Sequence, residues 1–125
     1  MAVRIASMGL RVLFLVNLVL GILFWTGNAD SLTLLHMFIG ILFVACLWAL
    51  GVFQAMRGGS LGLTLGTFIL GLIIALFGLF QKTILPGSGH VVIQVVHLLL
   101  AVLGIGLGEM CAARYNKLSR QAKAI

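Results

Sequence analysis

Charge is what this sequence has least of. Only 8% of its 125 residues are charged, and just two of them, Asp30 and Glu109, are acidic. Hydrophobic residues make up 62% of the chain, a share that a water-soluble domain of this size does not sustain. The two cysteines, Cys46 and Cys111, form no CxxC or CxxCH, so structural zinc and covalently attached c-type haem have no support. Both thiols read as small buried hydrophobes. Proline occurs once, at Pro86, so one connection alone carries a hard helix break. The shortage of acids also limits proton chemistry. Glu109 is the one acid within an apolar run, and a carboxylate relay needs a second. It is expected to pair with Arg11, Arg57 or Arg114.

What remains is an integral membrane protein of one small domain. Apolar runs cover about residues 8–26, 32–56, 61–80 and 90–113, each near the ~20 residues that a spanning helix needs. Asn28 to Ser31, Arg57 to Ser60 and Gln81 to Gly89 separate them. Asp30 or Ser31 is placed to cap the second helix. The basic start, short apolar core and Gly27-Asn28-Ala29 of the first run resemble a secretory signal. Its length with flanks predicts a retained first helix instead. The expected fold is all-α: a four-transmembrane-helix, up-down-up-down bundle formed by residues 1–125. The basic tail, 114–125, is expected to continue the last helix along the membrane surface.

The net charge of +6 sets orientation. Arg4, Arg11, Arg57, Arg114, Lys117, Arg120 and Lys123 fall on one side of the four runs, and Lys82 alone on the other. Both termini are therefore expected in the cytoplasm. Basic residues confined to span ends and the tail also argue against nucleic acid as a partner and for the lipid bilayer. Trp25, at the end of the first run, reads as an interfacial anchor, and Trp48 as packing. The runs show no convincing internal duplication, so an inverted-repeat transporter is not indicated.

The polar residues inside the runs carry whatever chemistry there is. At helical spacing, His90, Gln94, His97, Ala101, Gly104 and Gly108 share one stripe, and the residues around them are almost all Val, Leu or Ile. Such a helix turns its outside to lipid and its stripe to neighbouring helices. His36 lies a few residues into the second run and His97 about two turns into the fourth, at compatible depths. Two imidazoles on facing helices are the arrangement that holds a b-type haem iron by two axial ligands. His36 with His90 is the other pairing. Gly40 lies one turn below His36, and Ala101 then Gly104 lie below His97. Gly21 and Gly71 could thin the remaining helices for a macrocycle. Lys82, His90, Ser88 or Asn28 could meet its propionates. Gln94 either fixes an imidazole or bonds another helix.

A competing reading uses the same residues. The histidines would simply hydrogen-bond to neighbouring helices, and the glycines, including the third-run stripe of Thr64, Thr67, Gly71, Ala75 and Gly78, would serve close packing. The chain would then be a cofactor-free structural subunit of a larger membrane complex, or an oligomer formed through its glycine-rich faces.

Four runs with His36 on the second and His97 on the fourth resemble small four-helix membrane b-type cytochromes, including anchor or electron-transfer subunits of bacterial enzymes. The resemblance implies one haem b with His36 and His97 on the iron and Gly40, Ala101, His90 and Lys82 around it. It also implies electron exchange with a quinone or partner redox subunit at the outer face of a bacterial cytoplasmic membrane. Such a chain is an electron carrier more than a stand-alone enzyme. It departs from better-defined cytochromes in having no second histidine pair, so a haem near one face reaches half way across. The stretches LHMFIG and PGSGHVVIQVVHLLL also resemble an uncharacterised bacterial family of short four-span membrane proteins. Four-span small multidrug transporters, by contrast, carry a glutamate in the middle of the first helix, where this chain has Asn17 and no acid.

Overall fold

A computed structural model describes residues 1–124. Every regular element among them is helical: α1 (Ala2–Trp25), α2 (Thr33–Met56), α3 (Leu61–Phe80) and α4 (His90–Lys123). All four are long and apolar enough to cross a membrane, the pattern of a multi-pass membrane protein. In lipid the helix is favoured because it pairs every backbone polar group within one segment. The shortest, α3, has 20 residues, which at 1.5 Å per residue is the ~30 Å thickness of a hydrocarbon core.

One boundary differs from the sequence expectation. Asp30 and Ser31 do not cap α2; they form a single 3-10 turn, Asp30–Leu32, entered through Ala29 at a left-handed φ of 67°. The Thr33 hydroxyl then donates to the Asp30 carbonyl at 2.7 Å, so the turn closes on itself without an aspartate or serine cap. The basic tail continues the last helix, as expected: residues 114–123 belong to α4, which runs unbroken for 34 residues, or ~51 Å. After Gly108 the sequence has no Gly or Pro to stop it and is rich in Ala, Arg, Lys and Gln, good helix formers all.

The α2–α3 connection is built around one buried amide. Gln54 is fully buried. Its Nε2 donates to the Ser60 carbonyl (2.7 Å) and to Thr64 Oγ1 (2.6 Å), and its Oε1 accepts from the Ser60 N–H (3.0 Å). The Thr64 hydroxyl in turn donates to the Gly51 carbonyl at 3.0 Å. Ser60 caps α3, its hydroxyl accepting from the Leu63 N–H at 3.3 Å. A carboxamide in an apolar setting is tolerable only when each of its groups is paired in this way.

Consecutive helices pack side by side, α4 also meets α1, and α2 touches α4 across the short diagonal of the bundle. The core occupies one half. Val3, Ala6 and Leu10 of α1 meet Phe43, Val44, Leu47 and Leu50 of α2, Ile74 of α3, and Cys111 and Ala112 of α4. Glycines let these side chains in. Leu10 sits against Gly108, Phe43 and Ile74 against Gly104, and Trp48 and Val44 against Gly71. Gly71 and Gly104 are thus covered by protein side chains and do not thin their helices for another occupant. Trp48 is a packing residue, stacked on Phe68 with ring centres 5.2 Å apart.

The lone intramembrane acid finds its partner on α1. Arg11 grips Glu109 with both Nε and Nη2, each 2.7 Å from a carboxylate oxygen. Arg57 instead lies over the Tyr115 ring, 5.4 Å from its centre, so of the three arginines considered it is Arg11 that pairs.

Gly108 and Gly106 make a matched test. A Cβ at Gly108 would strike Leu10, whereas one at Gly106 meets open space. Gly108→Val should destabilise the bundle by about 1–3 kcal/mol, visible as a lower thermal midpoint in detergent, and Gly106→Val should leave it unchanged. Gln54→Leu strips the buried Ser60 N–H of its partner and should cost about 1–3 kcal/mol in the same assay.

Candidate functional site: a histidine-lined cavity

The half of the bundle left unfilled by the core holds a cavity of about 360 Å³, lined from all four helices. This lies within the range of small-molecule sites, roughly 300–1,000 Å³. Phe43 and Ile74 line it as well as belonging to the core. All three histidines line it, with Asn17, Gly21, Gly40, Ala75, Gly78 and Ala101. Asp30, Lys82 and His90, from the connections and the start of α4, line it at the loop-bearing end.

His36 and His97 meet across the α2–α4 diagonal, with ring centres 6.3 Å apart and planes inclined by 55°. Each imidazole is braced by an aromatic ring. Phe24 and His36 meet edge to face with centres 5.3 Å apart, and Phe77 lies parallel to His97 at 6.2 Å. Gly78 makes room for His97: a Cβ there would lie 3.3 Å from its Cε1. The Nδ1 of His97 is buried and has no hydrogen-bond partner. Buried polar atoms in that condition call for an explanation in terms of a missing occupant or a chemical role. His90 is placed differently. Its Nδ1 lies 3.4 Å from the Ile84 carbonyl in the connecting loop, and it is His97 that faces His36.

Other expected residues divide. Lys82 and His90 line the cavity, whereas Ser88 and Asn28 do not. The Asn28 amide turns instead to Thr26, donating to its carbonyl at 3.2 Å and its hydroxyl at 3.0 Å. Gln94 bonds another helix and not an imidazole: its Oε1 accepts from Trp25 Nε1. That bond joins α1 to α4 beside the cavity, and Trp25 is thereby a latch as well as a half-exposed aromatic near a helix end.

Asn17, which the sequence places on the inner face of the first helix with Gly21, is a site residue to which sequence reasoning gave no role. With its nitrogen facing His36, its amide donates to His36 Nδ1 (3.2 Å) and to the His36 carbonyl (3.1 Å), while its oxygen accepts from the Gly40 N–H (3.0 Å). The signal was there: a carboxamide in the middle of a 24-residue apolar helix must have a partner.

No family model, curated protein or solved structure matches this chain. The chemistry of the cavity is therefore read from its own atoms. Among the described residues no group of three or more His, Cys, Asp and Glu side chains could hold a bare metal ion. A facing pair of imidazoles suits a metal whose other positions are already filled, as in haem. The spacing fits. A metal–imidazole bond is about 2 Å and the ring centre lies about 1 Å beyond the nitrogen, so two imidazoles on one metal place their centres about 6 Å apart.

The Trp25–Gln94 latch should register as a coupling. In a double-mutant cycle of Trp25→Phe and Gln94→Leu, unfolding measured in detergent should give an interaction of about 0.6 kcal/mol, the size usual for such bonds between membrane helices.

Proposed function

We propose that this chain is an electron carrier of the bacterial cytoplasmic membrane that holds one haem b between His36 and His97. In this reading the helices alternate up and down with both termini in the cytoplasm, as the basic residues favour. The histidine end of the bundle then lies toward the outer face, where a quinone or partner redox subunit would exchange electrons with it. The observation that carries the reading is the 6.3 Å separation of the two ring centres, the spacing that two imidazoles on one metal require.

The chain's own residues divide the work. His36 and His97 would hold the iron. Gly40 and Ala101, one turn from each imidazole, keep the cavity wall thin. Phe24 and Phe77 orient the rings and exclude water from them. Lys82 and His90, at the loop-bearing end, supply a cation and a donor suited to propionate carboxylates. Bound there, haem supplies one-electron exchange between its ferric and ferrous states.

The test is an absorption spectrum of the detergent-purified protein, expressed with ample haem, before and after dithionite. A sharpened Soret band and a split visible region on reduction are expected. His36→Ala and His97→Ala should each lose the haem or convert it to a high-spin form. A featureless spectrum, or low-spin haem retained in both variants, would overturn the reading. A featureless spectrum would leave a cofactor-free subunit of a larger membrane complex as the account of the fold.

A further inference from the structure

We infer that Asn17 is the positioning residue that decides which nitrogen of His36 carries the proton, and that its amide must turn over for His36 to take iron; this rests on the haem reading above. The backbone of α2 decides how the amide points. Its nitrogen faces the His36 carbonyl at 3.1 Å and its oxygen faces the Gly40 N–H at 3.0 Å. The reverse orientation would set oxygen against carbonyl and NH2 against N–H. The NH2 group is thereby also aimed at His36 Nδ1, 3.2 Å away. A nitrogen that accepts a hydrogen bond carries no proton, so the neutral imidazole holds its proton on Nε2. Neither ring nitrogen then has a free lone pair: one is engaged by Asn17 and the other is protonated.

An axial histidine needs the opposite arrangement, with Nε2 bare and an Nδ1–H donated to an acceptor that orients the ring and raises its basicity. Asn17 can be that acceptor. A half-turn of the amide about its own terminal bond brings Oδ1 to Nδ1. The proton leaves Nε2 and one is taken up on Nδ1, so the imidazole stays neutral and no proton is gained or lost overall. The turn sets Oδ1 against the His36 carbonyl and the NH2 group against the Gly40 N–H, a cost that the bond from Nε2 to iron must offset. That carbonyl and N–H are four residues apart within α2, the spacing of a helix's own hydrogen bond, so the helix keeps them satisfied. Asn17 is in this way a two-position element: nitrogen toward His36 without iron, oxygen toward His36 with it. Gly40 is what admits the amide to this position, since a Cβ there would stand 3.3 Å from the end of the Asn17 amide.

Nitrogen-15 NMR of the full-length protein in detergent tests this, the His36 signals being identified by their loss in His36→Ala. In haem-free wild type, Nδ1 should resonate as an unprotonated, hydrogen-bonded acceptor and Nε2 as an N–H. In Asn17→Leu the Nδ1 resonance should move to that of a free acceptor. A protonated Nδ1 in haem-free wild type, or an Nδ1 resonance unmoved in Asn17→Leu, would overturn the inference. In haem-loaded protein, loss of the oxygen acceptor in Asn17→Leu should shift the reduction potential to more positive values. An unchanged potential would show that the amide does not turn. A flat absorption spectrum would remove the haem reading and the turn with it, and the Nδ1 resonance would then decide only whether Asn17 holds His36.

Discussion

Where no water reaches the chain, a polar group that lacks a protein partner has none at all, and this constraint accounts for most of what distinguishes the bundle from a set of greasy rods. Its polar side chains within the helices are used in pairs, and the pairs join helices. Gln54 ties α2 to α3 through Ser60 and Thr64. Arg11 and Glu109 tie α1 to α4 in the packed half, as Trp25 and Gln94 do beside the cavity. Asn17 ties α1 to α2 at His36. Among the described residues, three buried atoms stand outside this scheme: Trp48 Nε1, Ser119 Oγ and His97 Nδ1. Of these residues only His97 lines the cavity.

The same residue type, glycine, does opposite things in the two halves of the molecule. In the packed half Gly71, Gly104 and Gly108 accept large side chains from neighbouring helices, drawing the backbones together. In the hollow half Gly21, Gly40 and Gly78 line space. Gly40 and Gly78 there border side chains with chemistry, the Asn17 amide and the His97 ring, and Gly21 borders nothing within reach. The consequence is a rigid half that fixes the helix positions and an open half whose imidazoles are held by it. A site in a membrane bundle needs both, since side chains can be held at a fixed separation only if the helices that carry them cannot slide.

The four helices were legible because apolar run length and polar interruptions are local properties, and lipid leaves a long apolar run no stable alternative to a helix. The stripe on α4 was legible for a similar reason: a spacing of three or four puts residues on one face whatever surrounds them. Glu109 was narrowed to three arginines because an intramembrane acid must be paired. Choosing Arg11 took the packing of α1 on α4. The tail was legible as a continuation of α4, since nothing in its sequence stops the helix. The misreading is of another kind. The Asp30 and Ser31 cap failed because those residues had the choice of a 3-10 turn, and a capping residue type does not forbid that.

By itself, then, the amino-acid sequence determined that the chain is helical, apolar enough to cross a membrane four times, and equipped with histidines at matching depths on α2 and α4. Depth along a helix is a product of residue count and rise, so it needs no knowledge of neighbours. Only the tertiary structure decided that His97 and not His90 faces His36, that Gln94 serves Trp25, and that Asn17 holds His36 Nδ1. Each of those facts depends on the rotation and offset of one helix against another. These are set by which side chains fill which glycine gaps, a property of pairs of helices that no single stretch of sequence contains.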